Sequence, residues 1–152
     1  MNYIKVKGFG TLSCFDSNGN LKWKSDFTNT VTNVGKAQIA LLIGDGTATP
    51  FTFLALGTDT TPPSVSQTAL GAEIADSGLQ RATATVSRTD TTVTNDTVVF
   101  YHEFTASGSK TVQEVGIFNA SSLGIMLGRA LIGARILTSG DKLQVTYNVS
   151  FS

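Results

Sequence analysis

The side chains able to carry chemistry in this 152-residue chain are few: three glutamates, one histidine and one cysteine. Two carboxylates held across a fixed gap can split a glycosidic bond, and the candidates are Glu73, Glu103 and Glu114. Glu103 falls on the wet side of an alternating strand pattern. Glu114 lies in Val112-Gln-Glu-Val-Gly-Ile-Phe118, a stretch apolar enough to bury the carboxylate in part. Arg129, in Met126-Leu-Gly-Arg-Ala-Leu131, is its natural partner from the following strand. Glu114 and Arg129 therefore read as a cross-strand ion pair that fixes register, a structural role and not a catalytic one. His102, between Phe100 and Phe104, takes an inward position with no serine or cysteine motif beside it, which suits a core or interface histidine better than a base. Cys14 is alone, so an internal disulfide and a cysteine-based zinc cluster are both excluded. Asp16-Ser-Asn18-Gly-Asn20 opens like a calcium loop, but the twelfth position, where a bidentate glutamate is needed, is Phe27. With no nucleophile elbow, phosphate loop or histidine pair, the expectation is a non-enzyme without catalytic residues, cofactor or metal.

Binding chemistry is equally sparse. Phe51 with Phe53, and Tyr101 with Phe104, are spaced for a sheet, but they lack the basic companions that stacking on nucleic acid requires. The net charge is zero, and Lys5, Lys7, Lys22 and Lys24 sit close to Asp16 and Asp26, so no nucleic-acid partner is expected. Trp23, flanked by Lys22 and Lys24, is a candidate contact anchor, or else a cap on the bottom of the core. Charged residues make up 14% of the chain, against about 25% in a typical domain. Such a surface repels neighbours weakly and suits permanent contacts; it also suits a β-rich domain in which threonine replaces charge. The N-terminus lacks the apolar stretch of a signal peptide, and the run from Ile39 to Ile43 is too short to span a bilayer. Synthesis and folding in a reducing cytosol, with no membrane partner, are the expectation.

The elements that must position these residues are mostly strands. In the last eleven residues, Leu143, Val145, Tyr147, Val149 and Phe151 alternate with polar side chains, the period of a half-buried strand. Residues 3–15 and 21–27 read as a hairpin, with Asn18-Gly19 supplying the positive φ angles of its turn. Residues 34–43 read as the one helix, capped by Asn33, stopped by Gly44 and laid on a sheet through an apolar face from Ile39 to Ile43. Residues 51–57 form a buried strand, 58–66 a proline loop, and 68–75 a short helical turn burying Leu70 and Ile74. Strands follow at 79–88, 98–104, 111–119, 124–137 and 142–151. About eight strands and one short α-helix predict a mainly β, jelly-roll-like antiparallel β-sandwich, with residues 1–152 as a single domain.

The order of signals resembles a known group. Asn29-Thr-Val-Thr-Asn-Val-Gly35 precedes a small apolar helix, then Phe53-Leu-Ala-Leu-Gly-Thr58 and a proline loop. Leu70-Gly-Ala-Glu73, Arg81, Glu114-Val-Gly-Ile-Phe-Asn119, Gly128-Arg129 and the alternating last strand follow. From about residue 27 to 152 this is similar to small structural proteins of tailed bacteriophages, namely capsid decoration or cement proteins and tail-fibre or baseplate-adaptor domains. The resemblance implies a virion protein assembled in the host cytoplasm, with structural roles for Gly35, Gly57, Glu73, Glu114, Gly116 and Arg129. Its expected partners are the major capsid protein or tail and fibre proteins, and a homo-oligomer, typically a trimer, would cover exposed sheet edges. Because the sequence stops with its last strand, a decoration protein ranks first. The alternative is a fibre or baseplate-associated adaptor or receptor-binding protein, where Trp23, Tyr3 or Tyr101 would stack on sugar.

Overall fold

The computed structural model describes residues 2–152 as two five-stranded antiparallel sheets with one helix. In chain order the elements are β1 (Val6–Phe15), β2 (Leu21–Thr28), β3 (Thr30–Val31), α1 (Asn33–Gly44), β4 (Phe53–Gly57) and β5 (Ala82–Thr83). They continue with β6 (Thr85–Thr89), β7 (Thr97–Thr105), β8 (Lys110–Phe118), β9 (Met126–Leu137) and β10 (Lys142–Phe151). The first sheet has the order β2-β1-β10-β7-β6 and the second β3-β9-β8-β4-β5. The fold is thus the mainly β sandwich that the alternation predicts.

The terminal strand shows why the pattern works. β10 lies mid-sheet, pairing with β1 on one side and β7 on the other. Leu143, Val145, Tyr147 and Val149 are 0–1% exposed, so every second side chain enters the space between the sheets. Facing them are Leu54, Leu56, Val115 and Ile117 of the second sheet, in one continuous core. Alternation fails to describe β8 and β4, because both faces of the second sheet are covered. Ala55, Phe118 and Met126 form a separate apolar cluster with Leu70 on its outer side, under the long connection between β4 and β5.

Several local readings need correction. The N-cap of α1 is Thr32, not Asn33: its hydroxyl accepts from Gly35 N and donates to the Met126 carbonyl, tying the helix start to β9. The helix buries Gly35 and Gln38 and packs Ile39 and Leu42, both half-buried, against the core, whereas Leu41 and Ile43 point outward, so only part of the Ile39–Ile43 run forms the packed face. Gly35 is needed there, because a Cβ would lie 2.5 Å from the Leu127 carbonyl oxygen. Residues 68–75 contain no helical turn; Leu70 and Ile74 are buried, but the segment is held by an isolated bridge between Gly57 and Glu73. The stretch 79–88 is not one strand. It splits at Ala84 into β5 of the second sheet and β6 of the first, and Ala84 N turns instead to the Thr52 carbonyl. In the first hairpin only Gly19 adopts positive φ, while the Asp16 carboxylate accepts from Asn18 N and Asn20 N to fix the turn.

Candidate functional site

The outer face of the second sheet carries the densest polar construction in the fold. Side chains of residues 114, 116 and 118 on β8 share this face with Ala55 and Gly57 on β4 and with Arg129 on β9, as the pairing register requires. Arg129 stands opposite Gly116 and Glu114 opposite Gly57. The two charged side chains are therefore diagonal neighbours. Glu114 uses the room left by a glycine across the ladder, since a Cβ on Gly57 would run into its carboxylate, while a Cβ on Gly116 would meet Leu70 of the covering loop at 2.9 Å.

Both charges are 0% exposed. Burial of this kind is tolerable only when every charged atom is met. Arg129 Nε donates to Glu114 Oε2, Nη2 donates to Asp59 Oδ2 at 3.0 Å, and Nη1 donates to the Thr61 carbonyl at 2.7 Å. Glu114 Oε1 accepts from Asp59 N and Ala72 N, and Oε2 also accepts from Gly71 N. The clamp thus has strand residues as its base and the backbone of residues 59–72 as its load. Its lone pairs are occupied by backbone amides and one guanidinium, an arrangement that fixes a loop and leaves no free carboxylate oxygen to move a proton.

A second ion pair closes the same connection. Arg81 binds Glu73 through two parallel bonds, Nε to Oε1 at 2.8 Å and Nη2 to Oε2 at 2.6 Å, the bidentate geometry that suits a planar guanidinium. Its Nη1 donates to the carbonyls of Ala120 and Leu123 in the β8–β9 turn, and its plane lies 3.7 Å from the Phe118 ring centroid. Beside this pair opens a cleft of about 620 Å³ lined in part by Glu73, Gln80, Arg81, Ser121 and Leu123. Leu123 is 86% exposed at its rim.

The three glutamates do not converge. Glu73 belongs to the Arg81 pair and Glu114 to the clamp, while Glu103 lies in the first sheet and accepts from Gln144. His102 is half-buried against Phe104, edge to face at 4.6 Å. Trp23 is half-buried against the core, with the Arg135 guanidinium 5.2 Å from its ring centroid. Among the described residues no group of three histidine, cysteine or acidic side chains is placed to hold a metal ion, and no helix is long and apolar enough to cross a membrane.

Asp59, Thr61 and Gln67, whose Oε1 also accepts from Arg129 Nη1 at 3.3 Å, are clamp members that read in the sequence as ordinary loop residues. Their only signal is polarity in a loop that also has to cover Leu70, and nothing local ties them to Arg129, about 60–70 positions downstream. Arg81 and Glu73 stand out in the sequence without revealing that they pair.

One comparison with known proteins bears on this fold. The family model described as "Podophage GP4 fiber I protein gp80" matches residues 27–149. No curated protein and no solved structure gives a match. The matched span runs from the end of β2 through most of β10, and so contains α1, both loop-holding ion pairs and the whole second sheet; the first hairpin lies outside it. The chain belongs to the podophage GP4 fiber I protein gp80 family and is a small virion protein of a tailed bacteriophage.

Proposed function

We propose that this chain is a non-enzymatic component of a phage tail fibre, acting as an adaptor or receptor-proximal module and not as a coat on the head. The observation that carries the reading is the fibre family match over residues 27–149. It favours the fibre alternative over the capsid decoration role that the compact sequence first brings to mind. The geometry supports the same view. Buried charge on the second sheet is used to hold one long connection rigid, as a load-bearing or ligand-presenting surface requires.

Partners on this reading are other virion proteins, with fibre and tail components first. Trp23 is the anchor we propose for the first hairpin: its ring is half-buried between the exposed Lys22 and Lys24, with the Arg135 guanidinium 5.2 Å from its centroid. The test is location in the intact particle. Gold-labelled antibody against the chain, or density assigned by electron microscopy, is expected at the tail. Labelling distributed over the head lattice would return the decoration role.

A further inference from the structure

The sandwich is left open at β6. Val86 pairs with Phe100, so both side chains lie on the core-facing side of the first sheet. Phe100 is 3% exposed there, yet Val86 is 44% exposed. All five residues of β6 are exposed, and its one neighbour in the sheet is β7. Between this uncovered face and α1 runs an apolar groove of about 550 Å³, with Val86, Phe100 and Phe151 on one wall and Leu42 and Ile43 on the other. Ile43 stands 81% exposed at the end of the helix. The opposite edge of the same sheet is guarded differently, by Lys22, Lys24 and Asp26 along β2.

We propose that a second copy of this chain occupies the groove, the end of α1 in one copy seating on the β6 face of the next. Charge chooses this occupant. The β6 wall carries Arg88, and the helix wall ends at Asp45. Neither takes part in an ion pair among the described residues, and the Asp45 carboxylate is engaged only by Thr47. A uniformly acidic or basic partner would match one wall and clash with the other. A second copy presents an apolar helix end bearing the acid to an apolar strand face bearing the base, and the reverse contact follows by symmetry or by ring closure. This contact concerns the chain meeting itself and holds wherever on the particle the protein sits.

Sedimentation equilibrium of the full chain tests it. The wild type is expected to associate with a dissociation constant of about 10 µM or tighter. Ile43→Glu and Val86→Glu should each weaken association by about tenfold or more without changing the thermal melt, since both positions are exposed. Arg88→Glu should weaken it about threefold, and adding Asp45→Arg should restore it. A wild type that stays monomeric to about 100 µM overturns the proposal, as do groove variants that associate normally or a charge reversal that fails to rescue. A wild type that is monomeric alone but binds a different virion protein through Val86 assigns the groove to that protein and overturns it as well.

Discussion

Glu114 and Arg129 are both fully buried, and neither could be buried alone. An isolated charge in such a place costs several kcal/mol, whereas a pair with every lone pair and N–H satisfied comes close to neutral. Glu114→Ala should therefore destabilise the fold by about 3–5 kcal/mol, because it leaves a buried guanidinium with Asp59, itself partly exposed, as its one carboxylate and strips the acceptor from Gly71 N, Ala72 N and Asp59 N. Urea unfolding of the variant checks this, and a loss below about 1 kcal/mol, the size of a surface pair, would remove the clamp from the account. The same logic explains what was legible. An acid within an apolar strand and an arginine in the next strand announce a buried pair, because nothing else makes that burial tolerable. The rest of the clamp was not legible, since backbone amides of residues 59, 71 and 72 carry no side-chain signature. Gly57 and Gly116 read as generic strand glycines until the register sets them opposite the two charges.

Strands declared themselves where one face is wet and hid where both are dry. β10 alternates because the outside of the first sheet is the wetter of its two faces. β8 does not alternate, being buried at every position from Glu114 to Phe118, because the 58–81 connection covers its outer face. The split of residues 79–88 between two sheets escaped notice for a related reason: Ala and Thr alternation fits a strand on either sheet, and only the Ala84 N–H bond to Thr52 marks the crossing. The connection from β6 to β7 shows how one side chain fixes an element. Its Asp96 carboxylate accepts from Val93 N and, against the opposing pull of desolvation, from Thr92 N, Thr91 N and the Thr97 hydroxyl, which together hold its pKa down to about 2. Because the folded value lies below the ordinary 3.8, the loop gains from the ionised form above that range and loses it as pH falls towards about 2. Amide resonances of Thr91, Thr92 and Val93 should titrate with a midpoint near 2, and a midpoint near the ordinary carboxylate value would show that the turn does not depend on these bonds.

At the scale of the whole molecule, equal numbers of acidic and basic residues make a neutral chain, and its fully buried ion pair, Glu114 with Arg129, faces inward to the clamp. Apolar surface is left outside for neighbours beside the exposed charges: the β6–α1 groove, Ile43, Leu123 at the rim of the Arg81 cleft, and Ile136 on β9. Contacts built on such surfaces gain about 25 cal/mol per Å² of apolar area, less the cost of ordering the partners, and that gain does not weaken when charges are screened. An exposed pair such as the one proposed between Arg88 of one copy and Asp45 of the next would steer orientation and contribute little to affinity. At about 1 M salt the screening length falls to roughly 3 Å, which removes steering but leaves apolar burial intact. Particles washed at that ionic strength should therefore keep this protein, and its self-association should be unchanged or slightly tighter, as sedimentation before and after dialysis would show. Release between about 0.2 and 0.5 M salt would mean that charge holds the chain in place, and the neutral, apolar surface would then need a different purpose.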